Sequence, residues 1–74
     1  MKNEKVILYT RQGCHLCDIA EDLLRKYRLD FQKVDIDQDP SLVRQFDQCV
    51  PVVEIDGRVR FRGKIDEILL QRLL

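Results

Sequence analysis

Two cysteines, Cys14 and Cys17, lie three positions apart in the stretch "RQGCHLCDIAEDLL", Arg11 to Leu24. On a helix this spacing sets two sulfurs one turn apart, near enough to close a disulfide or to share a metal. The pair follows a short apolar run and opens an amphipathic segment, so Cys14 falls at a helix start. Backbone N–H groups there are unpaired and carry partial positive charge. A thiolate at that end is stabilised, and the cysteine pKa should fall below its free value of about 8.5. The thiolate is the form that attacks a disulfide. Cys14 is therefore the expected nucleophile. Cys17, one turn further in and less exposed, is the expected resolving cysteine. A zinc site takes four ligands, so a metal reading must add Cys49 and His15. The spacing turns His15 away from the pair, and no metal is expected. A cationic His15 would stabilise the Cys14 thiolate and make the disulfide more oxidising. The alternative is a solvated histidine in the first helical turn.

The elements that position the pair are legible from periodicity. Val6 to Tyr9 is a continuous apolar run, which reads as a strand buried on both faces. Leu16, Ile19, Ala20, Leu23, Leu24 and Tyr27 then recur at helical spacing, with Asp18, Glu21, Asp22, Arg25 and Lys26 opposite. Phe31, Val34 and Ile36 begin a second strand. Asp39-Pro40 is a helix start, with Asp39 as cap and Pro40 as first helical residue. "VPVVEI" is a third strand, and Asp56-Gly57 signals a hairpin. "RVRFR" alternates, placing Val59 and Phe61 inward and the arginines outward, as in an edge strand whose charges discourage aggregation. Ile65, Ile68, Leu69, Leu70 and Leu73 supply a last amphipathic helix. The order is β-α-β-α-β-β-α, a mixed four-stranded sheet flanked by helices, with the first two strands parallel through a right-handed crossover. No repeat or linker divides residues 1–74, so one domain is expected.

The totals narrow the function classes. Thirteen basic and thirteen acidic residues cancel, so no global charge calls for nucleic acid or an anionic membrane. "MKNEK" is charged and the apolar run after it is short, unlike a signal peptide or a membrane span. The expected compartment is the cytoplasm, where structural disulfides are rare. Three cysteines fit a redox pair better than a disulfide framework. Asp35, Asp37 and Asp39 lack the Gly and distant Glu of a calcium loop; a polar turn and a helix cap account for them.

With "CHLC" opening the first helix, "VP" before the third strand and "RGKID" before the last helix, the chain resembles the glutaredoxin branch of the thioredoxin superfamily over nearly its whole length. It is most similar to small glutaredoxin-like proteins. The resemblance implies a minimal thioredoxin-like fold. It also implies that Val50 precedes a cis Pro51, faces the cysteines and pairs by its backbone with substrate or glutathione. Arg11, Gly63 and Asp66 are implied in a glutathione site, with Arg11 meeting a carboxylate. Cys49 is implied near the pair, where it is either an alternative disulfide partner or a small residue in place of threonine. His15-Leu16 replaces the usual Pro-Tyr, and Arg62 replaces the first of two glycines.

The expected function is thiol–disulfide exchange, with no tightly bound cofactor and glutathione as a possible co-substrate. The expected partners are a disulfide-containing protein or a glutathione mixed disulfide, and a reductase or glutathione as electron donor. Arg58, Arg60, Arg62 and Lys64 either receive an acidic substrate or glutathione carboxylates, or form a solvated edge. Two other classes remain open. An iron–sulfur or metal carrier would be coloured and lose its colour on Cys14→Ser. A binding module would keep its partner without either cysteine.

Overall fold

In the computed structural model, which describes residues 5–73, the chain forms four strands and three helices. They are β1 (Val6–Thr10), α1 (His15–Lys26), β2 (Phe31–Asp35), α2 (Pro40–Phe46), β3 (Val52–Ile55), β4 (Arg58–Arg62) and α3 (Glu67–Leu73), with a 3-10 turn at Ile36–Gln38. The sheet order is β2-β1-β3-β4. β1 pairs parallel with β2 and antiparallel with β3, and β3 pairs antiparallel with β4. This is the expected mixed α/β architecture. Met1 to Glu4, most of the charged "MKNEK" stretch, lie outside the described residues. Among the described residues no helix is long and apolar enough to cross a membrane.

The main core lies between the sheet and α1 and α3. Val6, Leu8, Val53, Ile55 and Phe61 meet Ala20 and Leu24 of α1 and Ile65 and Leu70 of the last segment. A smaller cluster on the other sheet face joins Ile36, Phe46 and Val52, with Tyr9 and Val59 packed against it. Because the short α2 covers only part of that face, Ile7 and Tyr9 are half-buried. The expectation of a first strand buried on both faces is corrected accordingly.

Local chemistry sets the element ends. Asp39 caps α2, its Oδ1 accepting from the Ser41 N–H at 2.9 Å, and Pro40 is the first helical residue. Asp56 and Gly57 have φ of 52° and 83°. Those two positive values define the tight hairpin turn that Asp-Gly favours. At the end of α1 the Leu29 N–H reaches back to the Leu24 carbonyl at 3.1 Å across Arg28, whose φ is 56°. Glycine usually fills that left-handed position. Arg28→Gly is therefore expected to stabilise the domain by roughly 0.5–1.5 kcal/mol, read as a raised midpoint in urea.

Three burial expectations are corrected. Leu16 and Ile19 are 49% and 50% exposed, because the buried arc of α1 runs through Cys17, Ala20 and Leu24. Ile68 and Leu69 are 66% and 43% exposed. α3 starts at Glu67, and over its short length Leu70 is the buried residue. Val59 and Phe61 both pack inward, but on opposite faces. Phe61 pairs with Val53 and Val59 pairs with Glu54, which leaves Arg60 as an extra residue in a β-bulge. Ile36 is buried as expected, though in the 3-10 turn rather than in β2.

Candidate active site

β1 runs from the core to the loop that carries Arg11 to Gly13, and Cys14 ends that loop as the N-cap of α1. Cys14 has an extended backbone, φ −93° and ψ 106°, and its Sγ accepts the Cys17 N–H at 3.1 Å. A sulfur thus takes the position at which a helix start prefers an oxygen acceptor. The two sulfurs are at disulfide-bonding distance, with the Cα atoms 5.2 Å apart. Cys14 is half-buried, whereas Cys17 is 2% exposed. Cys14 is thus the more accessible residue of the pair and Cys17 the enclosed one. His15 is exposed in the first helical turn.

A cleft of about 430 Å³ runs along the β2 side of the helix start, lined by Arg11, Gly13, Cys17, Glu21, Lys33 and Asp35 among others. Glu21 accepts from Lys33 Nζ at 2.9 Å and also pairs with Arg25. The hydrogen bond from Lys33 is the first cause of a Glu21 carboxyl held below the usual carboxylate range. These two residues were not among the sequence candidates. Glu21 was accessible in principle, since it lies four residues beyond Cys17 and shares its side of the helix.

Arg11 is fully engaged within the protein. Its guanidinium donates to Asp37 Oδ1 at 2.7 Å, and to the Asp47 carboxylate at 2.6 Å and backbone carbonyl at 3.0 Å. The hydrogen bond from Arg11 lowers the Asp37 pKa, and the bonds to Asp37 and then Asp47 raise that of Arg11. Asp47 caps the C-terminus of α2, where a carboxylate opposes the helix dipole. Arg11 offsets that charge and ties the active-site loop to the 3-10 turn and to α2.

The remaining candidates gather at the start of β3. Tyr9 pairs with Val52, so Pro51 comes opposite Thr10, at the sheet end from which the Cys14 loop departs. The Val50–Pro51 peptide is cis. The Gly63 N–H donates to the Pro51 carbonyl at 2.8 Å, and Gly63 has φ 79° with the Cys49 carbonyl close by. The Val50 N–H and C=O have no backbone partner among the described residues. Cys49 is a free, half-buried thiol packed against the α2-side cluster. Asp66 turns to α3, its Oδ1 accepting from the Ile68 and Leu69 N–H groups at 3.0 and 3.2 Å. Among the described residues no group of three or more His, Cys, Asp or Glu is placed to hold a metal ion.

Residues 5–74 match the family model described as "Glutaredoxin-like domain (DUF836)". The chain belongs to this glutaredoxin-like family. The glutaredoxin-like domain is 29% identical over 76 residues to the glutaredoxin-like protein YDR286C homolog of Dictyostelium discoideum, covering 89% of this chain and 70% of that protein. Its structure is similar to that of protein XcR50 from X. campestris, with a TM-score of 0.78, 34% identity and 92% of each chain covered. Protein Ne2328 from Nitrosomonas europaea has the same fold, with a TM-score of 0.87 at 24% identity over 100% of this chain and 94% of the other. A glutaredoxin-like fold whose Cys14 and Cys17 sit at disulfide distance points to redox chemistry.

Proposed function

We propose that this glutaredoxin-like domain is a thiol–disulfide oxidoreductase. The observation that carries the reading is the asymmetry of the pair. A half-exposed cysteine caps a helix, and a buried cysteine one turn inside it is within bonding distance. The Cys14 thiolate attacks one sulfur of a substrate disulfide. An S–S bond forms to Cys14, the substrate S–S bond breaks, and the departing thiolate takes up a proton. Cys17 then loses its proton and attacks Cys14 Sγ. The second substrate thiolate leaves, and the protein retains the Cys14–Cys17 disulfide. Two electrons have passed to the substrate. Glutathione or a protein dithiol returns them by the reverse exchange.

The Val50 backbone groups, which have no backbone partner among the described residues, are suited to meet an extended substrate backbone as an added strand would. Pro51 and Gly63, joined by their hydrogen bond, support that edge. Glutathione is the proposed small co-substrate, a disulfide-bearing protein or glutathione mixed disulfide the proposed substrate, and the cytoplasm the proposed compartment. Val50 is the proposed main glutathione contact, with Arg11, Gly63 and Asp66 as further candidates, Arg11 being held by Asp37 and Asp47 and Asp66 Oδ1 by the start of α3.

Alkylation of the reduced protein by iodoacetamide across pH, read by mass spectrometry, tests this reading. Cys14 should react first, with a midpoint clearly below the free-cysteine value of about 8.5. A Cys14 midpoint at or above that value, or faster reaction at Cys17, would contradict it.

A further inference from the structure

β4 forms one edge of the sheet. It carries Arg58, Arg60 and Arg62, and Lys64 follows it. Residues 58–64 therefore hold four cations and no anion, in a chain whose charges balance as a whole. All four cations are exposed. None forms an ion pair among the described residues, whereas Arg11, Arg25, Lys26 and Lys33 each meet a carboxylate. A like-charged edge repels a second copy of itself. The same charges attract an extended segment of opposite sign.

Three further observations favour such a segment. Among the described residues the outer side of β4 has no strand partner, so its outward backbone groups can receive one. The bulge at Arg60 puts Arg58 and Arg62 on opposite faces, beside Ile55 and Val52 respectively. An added strand also sends alternate side chains to opposite faces, so acidic side chains along it meet cations on both. Finally, the basic run leads to the proposed exchange site. Arg62 pairs with Val52, and Gly63 donates to Pro51. The stripe offers no base-stacking platform, since its aromatic residue, Phe61, is buried in the core.

We infer that the β4 edge docks an acidic, extended segment of the protein whose disulfide is exchanged, which deepens the function proposed above and rests on it. The test is a fluorescence-anisotropy titration with a labelled, cysteine-free peptide alternating Glu with Val or Thr. Its Gln counterpart and a single-stranded oligonucleotide serve as competitors. The wild-type protein should bind the Glu peptide roughly tenfold tighter than the Gln peptide at low salt, and the preference should fade as ionic strength rises. The Arg58→Glu/Arg60→Glu variant should lose roughly tenfold in affinity for the Glu peptide. It should reduce the small neutral disulfide bis(2-hydroxyethyl) disulfide as the wild type does. Equal binding of the Glu and Gln peptides, unchanged binding by the variant, or tighter binding of the oligonucleotide than of the Glu peptide would each overturn the inference. The peptide contains no sulfur, so its binding is read independently of exchange chemistry. Failure of the wild-type protein to reduce the neutral disulfide would instead remove the exchange function.

Discussion

Cys14→Ser should lower the rate of disulfide reduction by on the order of a thousandfold or more, to near background. The loss follows from position. In the proposed exchange Cys14 Sγ is the reactive atom at the helix N-terminus, and Cys14 is the more exposed residue of the pair. A serine hydroxyl can take over the cap and accept the Cys17 N–H, so the variant should fold with little loss. Buried Cys17 cannot replace the nucleophile, because a substrate disulfide cannot reach it in line. Cys17→Ser should behave differently. Its Cys14 still attacks, and without Cys17 beside it the mixed disulfide persists until glutathione or another thiol releases it. A glutathione-coupled assay of both variants, with intact mass spectrometry of the protein, separates the two roles. Equal residual rates with no trapped adduct on Cys17→Ser would argue against them.

Leu24→Ala should destabilise the domain by about 2–5 kcal/mol. Leu24 is fully buried in the main core, where α1 packs on β1 and β3. Truncation loses apolar burial and leaves a cavity that a rigid sheet cannot collapse to fill. In a domain of this size about 1 kcal/mol shifts Tm by about 4–8 °C, so a fall of about 10 °C or more is expected by calorimetry. A chain this short has little stability in reserve, and the lower end of that range already threatens folding. A change of a few degrees would mean that α1 is held mainly by contacts other than its Leu24 face. The comparison matters for function, because the same helix carries Cys14 and Cys17. Leu16→Ala, at an exposed position of that helix, is the matched control and should leave Tm nearly unchanged.

These predictions also show which features the chain announces locally. Cys14 and Cys17, Asp39-Pro40, Asp56-Gly57 and the element order are carried by residues near one another in sequence, and each was legible. The features that escaped depend on distant partners. Nothing near Arg11 says that Asp37 and Asp47 will claim its guanidinium. Nothing near Glu21 says that Lys33 will lie across from it. Alternation in "RVRFR" implies one inward face, but the bulge at Arg60 divides Val59 and Phe61 between two. Helical periodicity found α1, yet its apolar stripe is wider than the arc it buries, Cys17, Ala20 and Leu24. Leu16 and Ile19 therefore stay exposed beside the cysteines. Asp66 has a local role the resemblance did not give: its Oδ1 accepts from the N–H groups that start α3.

An equilibrium redox titration of the purified protein in glutathione buffers, with thiol trapping and mass spectrometry at each poise, tests the central claim most directly. The account predicts a reversible Cys14–Cys17 disulfide with Cys49 remaining a thiol, and a glutathione adduct on Cys14 when Cys17 is serine. A protein that forms no Cys14–Cys17 disulfide at any poise would contradict it.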